Sequence, residues 1–182
     1  MQIFREDKTT LKFPLGWSVT QWDGCDHYTD FSRLIPYKVK AVDFICTAPD
    51  SNAKMIFIEV KDYRLDSDNL KRKLTSKELF ESLKEKLVLS IAGLHFTEKR
   101  ENRNSNSFNF SVSPQRKLDY VFLCFYKSSG NIQEQNFARD IGLLLTKLKK
   151  DLTKVLLGYD VNFKLYSQSN SLDYSFTFEL SN

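Results

Sequence analysis

Two apolar strands interrupted by charge constrain this chain more than any other feature. Lys40-Ala41-Val42-Asp43-Phe44-Ile45-Cys46 leads into a polar break, and Met55-Ile56-Phe57-Ile58-Glu59-Val60-Lys61-Asp62 follows. The break, Ala48-Pro49-Asp50-Ser51-Asn52-Ala53-Lys54, carries turn formers, while Val, Ile and Phe on its flanks favour strands. A hairpin folded at Ser51 sets Asp43 opposite Glu59. Side chains alternate across a strand, so Glu59 and Lys61 share one face, and Ile56, Ile58 and Val60 take the other, toward the core. Same-face neighbours on paired strands lie about 5 Å apart. Asp43, Glu59 and Lys61 are therefore expected to cluster.

Charged groups buried without a partner are costly, so such a cluster pairs internally, binds a metal or does chemistry. Two carboxylates on adjacent strands suit a hard divalent cation, with the Val60 backbone carbonyl as a further oxygen ligand. A lysine beside that cation can orient a water and offset charge developing on a phosphoryl oxygen. The plainer alternative is a solvated strand end, with Glu59, Lys61, Asp62 and Arg64 in surface ion pairs.

The arrangement resembles the PD-(D/E)XK nuclease superfamily, the restriction-endonuclease-like fold. Its members place Asp on one strand and Glu/Asp-x-Lys on the next. The match lies at Asp43, Glu59 and Lys61; Val42 stands where the family's name has proline. The resemblance implies a Mg²⁺- or Mn²⁺-dependent nuclease acting on nucleic acid, most often DNA, and in many members a homodimer. It also implies an acid upstream of the first core strand, for which Glu6, Asp23, Asp26 and Asp30 are candidates and Asp23, beside Trp22, the favoured one. A non-catalytic member of the same fold, serving as a toxin-immunity protein or nucleic-acid-binding accessory with a protein partner, is the alternative.

The rest of the chain supplies a scaffold. Ser76 is expected to cap a helix reaching about His95, with Leu79, Leu83, Leu87, Ile91 and Leu94 as its apolar stripe. Lys86 and Ser90, one turn apart on it, are further candidates for the site, although solvation is the simpler expectation for Lys86. Leu118 to Tyr126 reads as a central strand. Gln135 to Leu157 reads as a second long helix ended by Gly158, and Val161–Tyr166 and Tyr174–Leu180 as strands. Strands alternating with helices predict an α/β domain spanning 1–182, a mixed sheet flanked by helices.

Two polar stretches are candidates for phosphate contact. Asp62 to Thr75 is expected to be a charged loop offering Arg64, Lys71, Arg72 and Lys73. Thr97 to Lys117 is expected to be a polar insertion, with Arg100 and Arg103 interleaved with Phe108 and Phe110. Lys40 is a further candidate for substrate contact. The net charge of +4 permits a polyanionic partner without requiring one. Cys25, Cys46 and Cys124 form no metal-binding spacing, and Cys25-Asp26-His27 lacks the four ligands of structural zinc. No apolar run reaches the roughly 18 residues of a membrane span, and the N-terminus does not resemble a signal peptide, so a cytoplasmic protein is expected.

Overall fold

A computed structural model describes residues 1–36, 38–49, 54–104, 117–127, 130–167 and 172–180, with the backbone alone at 101–104. Among the described residues the elements run β1 (Gln2–Glu6), β2 (Thr9–Phe13), β3 (Ser18–Gln21), α1 (Asp26–Ser32), β4 (Phe44–Thr47) and β5 (Lys54–Tyr63). There follow α2 (Ser67–Thr75), α3 (Glu78–Asn104), β6 (Lys117–Tyr126), α4 (Ile132–Leu157), β7 (Val161–Tyr166) and β8 (Thr177–Leu180).

The main sheet has the order β3-β4-β5-β6-β7. β4 lies antiparallel to β3 and β5, whereas β5, β6 and β7 are parallel. Parallel neighbours need long crossovers, and α2–α3 and α4 supply them. β6 is buried on both faces. Tyr120, Phe122 and Cys124 enter one apolar core, and Val121, Leu123 and Phe125 enter another, which explains its nearly unbroken apolar sequence.

The expectation of one core face requires correction. Ile56, Ile58 and Val60 do face a core, but Met55 and Phe57, on the face of Glu59 and Lys61, are buried in a second one beneath the helices. A three-stranded sheet, β1-β2-β8, covers the face opposite the helices. Leu11, Phe13 and Phe176 fill that interface, with Phe13 and Phe176 stacked at a centroid distance of 5.0 Å. The chain is thus a mixed sheet with helices on one side and a small antiparallel sheet on the other.

Both polar stretches also differ from expectation. The supposed loop 62–75 contains α2, capped by the Asp66 carboxylate accepting from the Asn69 N–H. Its Leu70 is wholly buried, which anchors the short helix. The supposed insertion begins as helix: α3 continues through Thr97 to Asn104, and Thr97 is itself buried, its hydroxyl donating to the Gly93 carbonyl at 2.9 Å. The remainder, 105–116, and the turn at 50–53 lie outside the described residues. No described helix is long and apolar enough to cross a membrane.

A second charged cluster closes the far end of the central strands. Asp119, almost fully buried at the start of β6, pairs with Lys54 at 2.8 Å and accepts from Asn162 at 3.1 Å and from the Tyr174 hydroxyl. All its oxygens are engaged, so it ties β5, β6, β7 and the segment before β8 together.

Candidate functional site

The β4–β5 register pairs Phe44 with Ile58, Ile45 with Phe57 and Cys46 with Ile56. Continued by one residue it sets Asp43 opposite Glu59, as a fold at Ser51 requires. Asp43 stands just before β4, and the chain there is held from two sides. The Trp22 N–H donates to the Asp43 carbonyl at 2.8 Å, and the Val42 N–H donates to Ser90 Oγ on α3 at 2.9 Å. Ser90 therefore supports the segment that presents Asp43.

Asp43 and Glu59 are each about 1% exposed. The Val60 N–H donates to Asp43 Oδ2 at 2.6 Å. N–H and C=O of one strand residue leave on the same edge, so the Val60 carbonyl also emerges on the Asp43 side. Lys61 Nζ lies 3.0 Å from Glu59 Oε1 and 4.0 Å from Asp43 Oδ2. The expected three residues do come together.

Lys86 is the largest departure from expectation. It is not solvated: its side chain is 13% exposed, and Nζ sits 2.6 and 2.8 Å from the two Glu59 oxygens and 3.7 Å from Asp43 Oδ1. The helical phase carried that information. Leu79, Leu83, Leu87, Ser90, Leu94 and Thr97 form the buried stripe, and Lys86 lies beside Leu83, Leu87 and Ser90 in it.

A second carboxylate group shares Asp43. Ligand oxygens of Glu6, Asp23 and Asp43 all lie within 4.8 Å of one another. Asp23 directly follows Trp22, whose N–H fixes its position beside Asp43. Glu6 ends β1, and Gln21 Nε2 donates to its carboxylate at 3.4 Å. Gly93 matters here because a Cβ on it would meet Phe31 Cδ1 at 3.0 Å and Trp22 Cζ2 at 3.2 Å. Its absence lets α3 approach Trp22 and thus the Asp23 turn. The other upstream candidates lie elsewhere. Asp30 pairs with Arg33 and Arg100, and Asp26 sits in the first turn of α1, whose N-cap is Cys25.

The electrostatics follow from burial first and from the crowding of acids second. Burial, then the neighbouring Asp43 and Asp23, push the Glu6 carboxyl up to about 7. Burial and Asp43 likewise raise Asp23. Glu59 is pushed up to about 7 by burial and by Asp43, against the pull of Lys86 and Lys61. Burial opposes the charge on Lys61, but Glu59 and Asp43 outweigh it and hold the amine above the usual lysine range.

The chain matches no family model, no curated protein and no solved structure. The resemblance therefore rests on the residues themselves.

The remaining candidates are mostly occupied. Lys40 pairs with Glu85 at 2.9 Å. Arg64 forks onto Asp62 at 2.8–3.2 Å and holds that carboxyl below the usual range despite its burial. Lys71 pairs with Asp140, Arg72 with Glu78, and Arg100 with Asp30, while Lys73 lies over the Tyr63 ring at 5.6 Å. The Arg103 side chain is outside the described residues. These cations do not form one free basic strip, although an exposed ion pair yields readily to a phosphate because it contributes so little.

Proposed function

We propose that this protein is a metal-dependent phosphodiesterase that hydrolyses nucleic acid, DNA by its resemblance, in the cytoplasm. The observation that carries the reading is the convergence of Asp43, Glu59 and Lys61, at the register the motif requires, beside an open group of further carboxylates.

The residues fit a divalent cation. Three carboxylates whose oxygens approach within 4.8 Å, two of them raised in pKa by burial and then by their acidic neighbours, suit a hard positive charge. Asp43 with Asp23 and Glu6 would hold Mg²⁺ or Mn²⁺. This set differs from the expected Asp43, Glu59 and Val60 carbonyl, because both Glu59 oxygens already accept from Lys86. Bound there, the ion supplies a water of lowered pKa and neutralises charge on a phosphoryl oxygen.

The chain's own groups divide the remaining work. Lys61 is 31% exposed, so its amine reaches both Glu59 and an incoming phosphate, and it stabilises charge developing on phosphorus. Glu59, its carboxyl pushed up to about 7 by burial and by Asp43, orients the Lys61 amine through Oε1. Lys86 holds Glu59 in that position.

The competing reading is a binding module without catalysis, and one observation favours it. Glu59 with two lysines is a satisfied ion network that needs no metal. Calorimetric titration with Mn²⁺ separates the two. The nuclease reading expects saturable binding that Asp43→Asn abolishes and Lys61→Ala retains, with Lys61→Ala losing cleavage of single- and double-stranded DNA. Absence of Mn²⁺ binding in the unaltered protein, with equal nuclease background in all variants, would sink it.

A further inference from the structure

The junction of α2 and α3 faces α4 across a groove of about 580 Å³ that takes no part in the charged site. Leu74, Phe80, Leu144, Leu148 and Val155 make its apolar walls. Val155 is 39% exposed, and Leu74, Phe80 and Leu144 are only half-buried, so the apolar surface is open to a ligand. Lys77, Lys147 and Lys154 stand around it against one acid, Asp151.

Some neighbouring cations are already paired. Lys71, Arg72 and Lys84 on the same helical surface pair with Asp140, Glu78 and Glu81. Among the described residues, Lys77, Lys147 and Lys154 join no ion pair. Lys77 also has a φ of +62°, the left-handed region that glycine occupies without cost. The turn between α2 and α3 thus carries a cation at the groove where glycine would serve the backbone better.

We propose that this groove binds an acidic amphipathic segment of a protein partner. Its volume accommodates two or three apolar side chains, the anchors that a helix presents at i and i+3 or i+4. The free lysines complement Asp or Glu flanking those anchors. A nucleic-acid backbone fits less well. Asp151 stands between Lys147 and Lys154 on α4, so a continuous run of phosphates would cross a carboxylate, whereas a peptide can spare that position.

The test pans a random peptide display library on the full chain, with counter-selection on a Lys77→Glu, Lys147→Glu, Lys154→Glu variant. Enriched peptides should carry apolar residues at helical spacing flanked by acids. Synthetic copies should bind in fluorescence anisotropy and weaken ~10-fold or more on Lys147→Glu with Lys154→Glu. Lys77→Gly keeps or raises the thermal midpoint while weakening binding, which separates the lysine's role in recognition from any role in folding. Enrichment of basic or featureless peptides overturns the proposal. So does affinity unchanged by these substitutions. Displacement of the peptides by a DNA duplex or by phosphatidylserine vesicles, with Lys147→Glu and Lys154→Glu abolishing binding of that competitor instead, would assign the groove to nucleic acid or lipid and overturn it too.

Discussion

Glu59→Gln should make the protein more stable at mildly alkaline pH while removing its proposed activity. Glu59 is buried, with an ordinary value of 4.5 raised to about 7 in the folded chain. A carboxyl whose folded value exceeds its unfolded value takes up a proton on folding between the two. Its contribution is fully present below about pH 4.5 and is lost as pH climbs to about 7. At about 1.4 kcal/mol per pH unit, the loss from this one group is about 3 kcal/mol. Glutamine does not titrate, and its carbonyl still accepts from Lys86 and Lys61. The variant should therefore gain up to about 3 kcal/mol over the unaltered protein near pH 8 and under about 1 kcal/mol near pH 5. For a chain of this size that corresponds to about 6–12 °C in thermal midpoint at the higher pH. Urea unfolding of both proteins in EDTA, at several pH values between about 5 and 8, reads the difference directly. Glu6 and Asp23 titrate in both proteins, so the difference isolates Glu59. Parallel stability curves for the two proteins would refute the assignment of a raised carboxyl at this position.

Lys86→Met removes the cation that contacts both Glu59 oxygens and should cost about 3 kcal/mol near pH 8 but under about 1 kcal/mol near pH 5, where Glu59 is protonated; the same urea series checks it. Asp119→Ala strips the partner from Lys54, Asn162 and Tyr174 at the far end of the sheet. It should cost about 3 kcal/mol with no change in Mn²⁺ affinity, measured by thermal unfolding alongside calorimetry.

Local pattern carried much of the architecture. The apolar run 118–126 read as a central buried strand, and the stripes through Leu83 and Leu145 read as helices, as the structure has them. The hairpin register was legible because the turn formers and the alternation agree on one fold-back point, and a slip by one residue would turn every side chain to the wrong face. Where local chemistry was polar, the reading failed. α2 and the end of α3 are rich in charge, and their helicity depends on a few anchors, Leu70 and Thr97, that sequence alone does not distinguish from solvated residues.

The sequence by itself determined that Asp43, Glu59 and Lys61 come together, because period-two alternation and one turn suffice to place them. Only the tertiary structure decided what surrounds them. Lys86 arrives from a helix packed on the same face, Asp23 from a turn pinned by the Trp22 N–H, and Glu6 from the separate sheet on the other side. These are contacts between residues far apart in the chain, fixed by how the apolar faces of sheet and helices dock. That docking turned a three-residue motif into a site with two lysines around one carboxylate and three acids around another position.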